Sequence, residues 1–235
     1  MTDTEIRVTD QTSGEYVRTY ERSVNATAVN MQAVVPMRAG IQNWLTLYAQ
    51  HLGDETITLP DGSTTTKYIL TRRPMPSDLE GVENESEDTG NSNTTSASVL
   101  SKSFYLDEKI LETLQLSGTV RFRATVAVKS SGTTDIAYID SVKFSLYKID
   151  SAGTSTQLGS TRTVSVDMQN NTTTYLEKSV VALLDLSSET LEAAQKLYAK
   201  IDIWGHTAGS TDTFDVRMSY DAGTSKTYVE IGVEE

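Results

Sequence analysis

Between Thr119 and Val128 apolar and polar residues alternate, placing Val120, Phe122, Ala124, Val126 and Val128 on one side. A period of two held over that length predicts a strand with one buried face. Val142, Phe144 and Leu146 repeat the pattern between Ser141 and Lys148, and Leu197, Ala199, Ile201 and Ile203 repeat it between Lys196 and Trp204. Further strands are predicted over 160–166, 174–181, 213–220 and 227–233. Turn residues separate them, as at Asp150, Ser151, Ala152 and Gly153 and again at Asp221, Ala222 and Gly223. Ser187, followed by Glu189 and Glu192, predicts a short connecting helix over 187–195. Strands at this spacing predict an all-β fold, an antiparallel β-sandwich over 99–235.

The pattern weakens toward the N-terminus. Residues 15–20 read as a strand, while 41–52 suit either a helix (Ile41, Trp44, Leu45, Tyr48, Leu52) or an alternating strand from Trp44 to Ala49. Pro60, Asp61, Gly62 and Ser63 form a turn between 56–59 and 67–71, which predicts a β-hairpin. All four prolines lie before Ser77. The expected organisation is therefore an N-terminal arm and hairpin over 1–76 for anchoring or assembly, an acidic Ser/Thr/Asn-rich linker over 77–98, and the sandwich over 99–235. A linker with so little to bury reads as disordered unless a partner subunit orders it.

Serine and threonine supply about a quarter of the 235 residues, which favours pleated surface over helix. The chain has no cysteine, so disulfides, thiolate nucleophiles and thiolate metal sites are excluded. A net charge of -12 disfavours contact with nucleic-acid phosphates, and it is compatible with a saline habitat. No apolar run is long enough for a membrane-spanning helix. The start, Met1 to Glu5, is polar and acidic rather than basic then apolar, so synthesis in a host cytoplasm is expected.

Candidate chemistry is sparse. The two histidines, His51 and His206, are far apart and in no motif, and neither a nucleophile elbow nor a phosphate loop is present. The carboxylate pairs Asp135/Asp140 and Asp212/Asp215 would serve a glycosidase only if they converged. Loop oxygens could hold calcium, but no motif supports it, and no cofactor is expected. Trp204 and His206, flanking Gly205 where a strand ends, are candidate surface contacts, as are Trp44 and Tyr48. Asn25, Asn93 and Asn170 open glycosylation triplets of the kind a threonine-rich chain contains by chance.

The succession 103–106, 116–122, 142–148 and 197–203 resembles the jelly-roll-like β-sandwich in structural proteins of tailed double-stranded DNA viruses. The resemblance implies a virion component, either a capsid decoration or turret protein or a tail part. Such a protein would be non-enzymatic and would dock on capsid or tail subunits, or on copies of itself, through its N-terminal part. The rival expectation is a carbohydrate-binding or adhesin module that attaches to a cell-surface glycan. Aromatics spread across one sheet face would mark that case.

Overall fold

The computed structural model describes residues 6–9, 16–19, 21–24, 27–30, 43–72, 85–108, 110–220 and 227–234. The chain divides into two units, 1–41 and 42–234. In the first, β1 (Ile6–Thr9) pairs antiparallel with β2 (Tyr16–Thr19), and β3 (Glu21–Val24) with β4 (Thr27–Asn30). The strand expected over 15–20 is β2.

The second unit holds β5 (Asn43–Thr58), β6 (Thr64–Thr71), β7 (Glu85–Asn91), β8 (Ala97–Leu106), β9 (Leu114–Ser130) and β10 (Ala137–Ile149). These are followed by β11 (Ser155–Asn170), β12 (Leu176–Leu191), β13 (Lys196–Thr207), β14 (Phe214–Ser219) and β15 (Tyr228–Glu234). No helix occurs among the described residues. The fold is an all-β sandwich made by one sheet folded over, in the order β11-β10-β13-β8-β6-β5-β15-β9-β14-β7 with β12 on the other edge of β9. Among the described residues every pairing is antiparallel except β6 with β8.

β9 organises one layer. β12 runs along one of its edges from Leu114 to Val128, while β14 and then β15 share the other edge. The opposite layer is β11-β10-β13-β8. The residues that alternate inward meet between the two layers: Phe122 of β9 and Phe144 of β10 have ring centroids 5.4 Å apart, and Val120, Phe122, Ala124, Val126, Val128, Val142, Phe144 and Leu146 are fully buried. On one side β6 joins the layers by pairing with both β5 and β8. On the other side, Lys178 Nζ of β12 donates to the Val166 carbonyl of β11 at 2.6 Å.

The 60–63 turn forms as its residues require. Gly62 takes a φ of 83°, its amide donates to the Leu59 carbonyl, and Asp61 Oδ1 accepts from the Ser63 amide and hydroxyl. The hairpin it closes is not apart from the sandwich: β5 pairs with β15 through Asn43 to Tyr48, and Leu47, Ala49, Ile69 and Leu70 are buried. His51 of this hairpin stacks on Tyr68 at 4.2 Å, and Tyr68 meets Phe104 and Tyr220 edge-on.

Two expectations are corrected. The helix over 187–195 does not form, because β12 continues to Leu191. After a bulge between Leu186 and Glu189, Thr190 pairs with Gln115 and Leu191 with Leu114. A serine cap is a local preference worth about 1 kcal/mol. The ladder and the burial of Leu191, which is 1% exposed, outweigh it. The linker expected over 77–98 holds β7, paired with β14, and β8 opens within it at Ala97. β7 has few apolar groups to bury and is held by charge: Glu87 lies 3.6 Å from Lys129 and 3.8 Å from Arg217. The rest of that segment, 77–84, lies outside the described residues.

Truncating Phe144 to alanine removes one of two facing rings from a fully buried site and should cost about 3–5 kcal/mol in urea unfolding. The same change at Leu111, which is 80% exposed, should stay within about 0.5 kcal/mol.

Candidate interaction surface

The outward face of β12-β9-β15-β5 carries a compact set of apolar, aromatic and guanidinium groups, placed side by side by the sheet register. In one row Val181 pairs with Arg123, Arg123 with Tyr228, and Tyr228 with Tyr48. In the next, Leu183 pairs with Arg121, Arg121 with Glu230, and Glu230 with Thr46. Beyond these, Asp185 pairs with Thr119 on one flank, and Trp44 pairs with Gly232 on the other.

Trp44 is 53% exposed, Val181 43% and Leu183 55%. The polar groups between them are fixed. Arg121 Nη1 lies 3.4 Å from Glu230 Oε2, Arg123 Nε donates to Ser179 Oγ at 2.9 Å, and the Arg123 guanidinium sits 5.9 Å from the Tyr228 ring centre. Tyr48 meets Tyr228 edge-on at 6.2 Å. Thr119 Oγ1 donates to Asp185 Oδ1 at 3.0 Å. Trp44 and Tyr48, candidates from the sequence, therefore share one face. Val181 and Leu183 were not singled out, although the unbroken apolar run 180–184 was a signal: inward alternation accounts only for Val180, Ala182 and Leu184.

The other two sequence candidates sit on the outer face of the opposite layer, half-buried. Lys143 Nζ lies 3.3 Å from the centre of the Trp204 ring and covers that side of it. His206 stacks on Tyr138 at 4.5 Å, and its Nδ1 is 2.9 Å from the Asp140 carboxylate. Farther along, Tyr147 stacks on Tyr198 at 4.9 Å and 9°, with Tyr105 on the far side of Tyr198. Burial, and secondarily Tyr198, raises the Tyr105 hydroxyl pKa. These stacked rings stand against one another, so one face of each is taken by its neighbour. Gly205 between Trp204 and His206 is required by close approach, since a Cβ there would run into the Tyr138 carbonyl oxygen.

Each residue of the two acidic pairs has a partner outside its pair. Asp140 is engaged by His206, Asp135 accepts from Thr134, Asp212 accepts from the Gly209 amide, and Asp215 holds Lys129 at 3.0 Å and accepts from the Gly90 amide. No cluster of three or more metal-ligating side chains occurs among the described residues. Asn170, from one glycosylation triplet, is buried, and its Nδ2 donates to the Val128 and Thr174 carbonyls. Tyr175 lies between Lys129 and Arg217 and donates to Glu87; burial first, then that carboxylate, raises its pKa. This clasp ties β7 and the start of β12 to β9 and β14.

No protein-family model matches the sequence, and a comparison with curated proteins finds no match. Solved structures do share the fold. A CocE/NonD family hydrolase from Staphylococcus aureus is 10% identical with a TM-score of 0.50, covering 98% of this chain and 41% of its own. An α-amino acid ester hydrolase is 11% identical with a TM-score of 0.50, covering 81% and 36%. An infectious bursal disease virus (Gx strain) structure is 10% identical, covering 94% and 46%, with a TM-score of 0.27. The chain thus spans less than half the length of each of these structures, and the likeness to the two hydrolases extends to the fold alone.

Replacing Gly205 with alanine should lower stability by about 1–3 kcal/mol, because backbone rather than a movable side chain blocks the methyl group. Chemical denaturation compared with the wild type measures it.

Proposed function

We propose that the chain is a non-enzymatic structural subunit of a tailed-virus particle that docks on protein subunits of that particle, copies of itself or others, through the outward face of β12-β9-β15-β5. The observation that carries the docking is the joint exposure of Trp44, Val181 and Leu183 around Tyr48, Tyr228, Arg121 and Arg123. Tryptophan, tyrosine and arginine dominate the energetics of protein interfaces, where a few of them account for most of the affinity. The strand succession that resembles tailed-virus structural proteins supports the virion setting. Trp44 and Tyr48 belong to the segment before Ser77, where the sequence placed docking, although here they act from within the sandwich. Glycan attachment has less support, because Lys143 covers one face of Trp204 and the opposite layer's tyrosines stack on each other.

Full-length protein, alone and mixed with the purified capsid and tail subunits of its own particle, should form a complex with itself or with one of them in size-exclusion chromatography with light scattering. Leu183→Asp should weaken that complex by about tenfold or more, as expected for a desolvated anchor. An unchanged complex in this variant, or no complex of either kind, contradicts the proposal. Selective binding on a glycan array that is lost in Trp204→Ala would favour the carbohydrate reading.

A further inference from the structure

The docking face has an internal arrangement that points to one occupant. Its two margins differ: β12 presents aliphatic Val181 and Leu183, and β5 presents aromatic Tyr48 and Trp44. Between them, β9 presents Arg121 and Arg123, and β15 presents Glu230 and Tyr228 in the same two rows. The margins are chemically complementary, and so are the two central columns. A two-fold axis lying in the plane of the face, along the strands and between β9 and β15, exchanges β12 with β5 and β9 with β15.

We infer that this face pairs with the same face of a second copy of the chain. The inference rests on the docking reading above and names its partner. Under that axis Arg121 of each copy meets Glu230 of the other, and each Arg123 meets the other's Tyr228. Val181 meets Tyr48, Leu183 comes over Thr46 between Tyr48 and Trp44, and Asp185, held by Thr119, comes over the margin at Trp44. Each contact occurs twice, as a two-fold interface requires. Charge points the same way. The chain carries -12, so two copies repel over most of their surface. In these three rows Arg121 and Arg123 balance Glu230 and Asp185, so the approach is neutral, and Arg121 and Glu230 meet across the axis with opposite sign. A partner of strong single-sign charge would leave one of those columns opposed by like charge.

Size bounds the strength. Four strands about 4.8 Å apart and three rows about 7 Å apart cover roughly 400 Å², about half of what a standard interface buries per partner. The pairing is therefore weak for isolated molecules and gains from a particle that holds many copies together.

Sedimentation velocity of the full-length protein from about 10 µM to about 1 mM, a range that brackets weak association, should show reversible dimerisation. Arg121→Glu alone and Glu230→Arg alone should each shift the dimerisation constant by about tenfold or more, since each brings like charges together twice. Mixed in equal amounts, the two variants should form a heterodimer, because glutamate at 121 then meets arginine at 230, and Glu230 meets Arg121, across the axis. A fold defect in either variant cannot produce that recovery on mixing. A wild-type protein that stays monomeric over the whole range, or variants that dimerise as it does, overturns the inference. So does a mixture that recovers nothing. If self-pairing fails while Leu183→Asp still loses a capsid or tail subunit, the docking proposal stands and only the identity of the occupant is wrong.

Discussion

The architecture depends on the pairing of β9 along both of its edges. A strand of seventeen residues bonded to β12 on one side and to β14 and β15 in succession on the other has its backbone polar groups satisfied by neighbours. Its side chains alternate between the two faces, although Thr125 and Ala127 of the outward set are also buried. One set, Val120 to Val128, fills the core against β10. The other set places Arg121 and Arg123 outward, in the middle of the docking face, with β12 and β15 flanking them at registers set by the same hydrogen bonds. Core and surface chemistry are two sides of one strand, and a one-residue slip would exchange them.

The two outer faces of the sandwich differ in how their aromatic groups are used. Across β10-β13-β8 the rings are engaged with one another or with a cation, as Tyr147 with Tyr198, Tyr138 with His206, and Trp204 with Lys143. Cross-strand pairs of this kind stabilise a sheet surface. Across β12-β9-β15-β5, Trp44 remains more than half exposed at one margin and Val181 and Leu183 are exposed at the other, with Tyr48, Tyr228, Arg121 and Arg123 continuing the group between them. Isolated exposed apolar residues are ordinary on a protein surface, whereas a contiguous group carries information.

Most strands were legible because their alternation extends through the core. Every inward position named for β9, β10 and β13 is buried. The helix over 187–195 was misread because cap preference is local, and Leu191 gains its burial from β9, more than seventy residues earlier in the chain. β7 was misread for the opposite reason: it has little to bury, and the Lys129, Arg217 and Tyr175 that hold it come from elsewhere in the chain. The docking face was legible only in part. Trp44 and Tyr48 could be picked out as aromatics, but their grouping with Arg121, Arg123, Val181 and Leu183 is a product of register between strands distant in sequence, which no single segment encodes.

The central claim is that residues 43–71 and the strands after Ala97 form one cooperative sandwich around β9. Native-state amide hydrogen exchange tests it most directly. Buried-strand amides of β9 from Val120 to Val128 and those of β5 at Leu45 and Leu47 should exchange only through global opening, with free energies within about 1 kcal/mol of each other. If the β5 amides exchange through a separate opening several kcal/mol easier than β9, the hairpin is an appendage and the account is wrong.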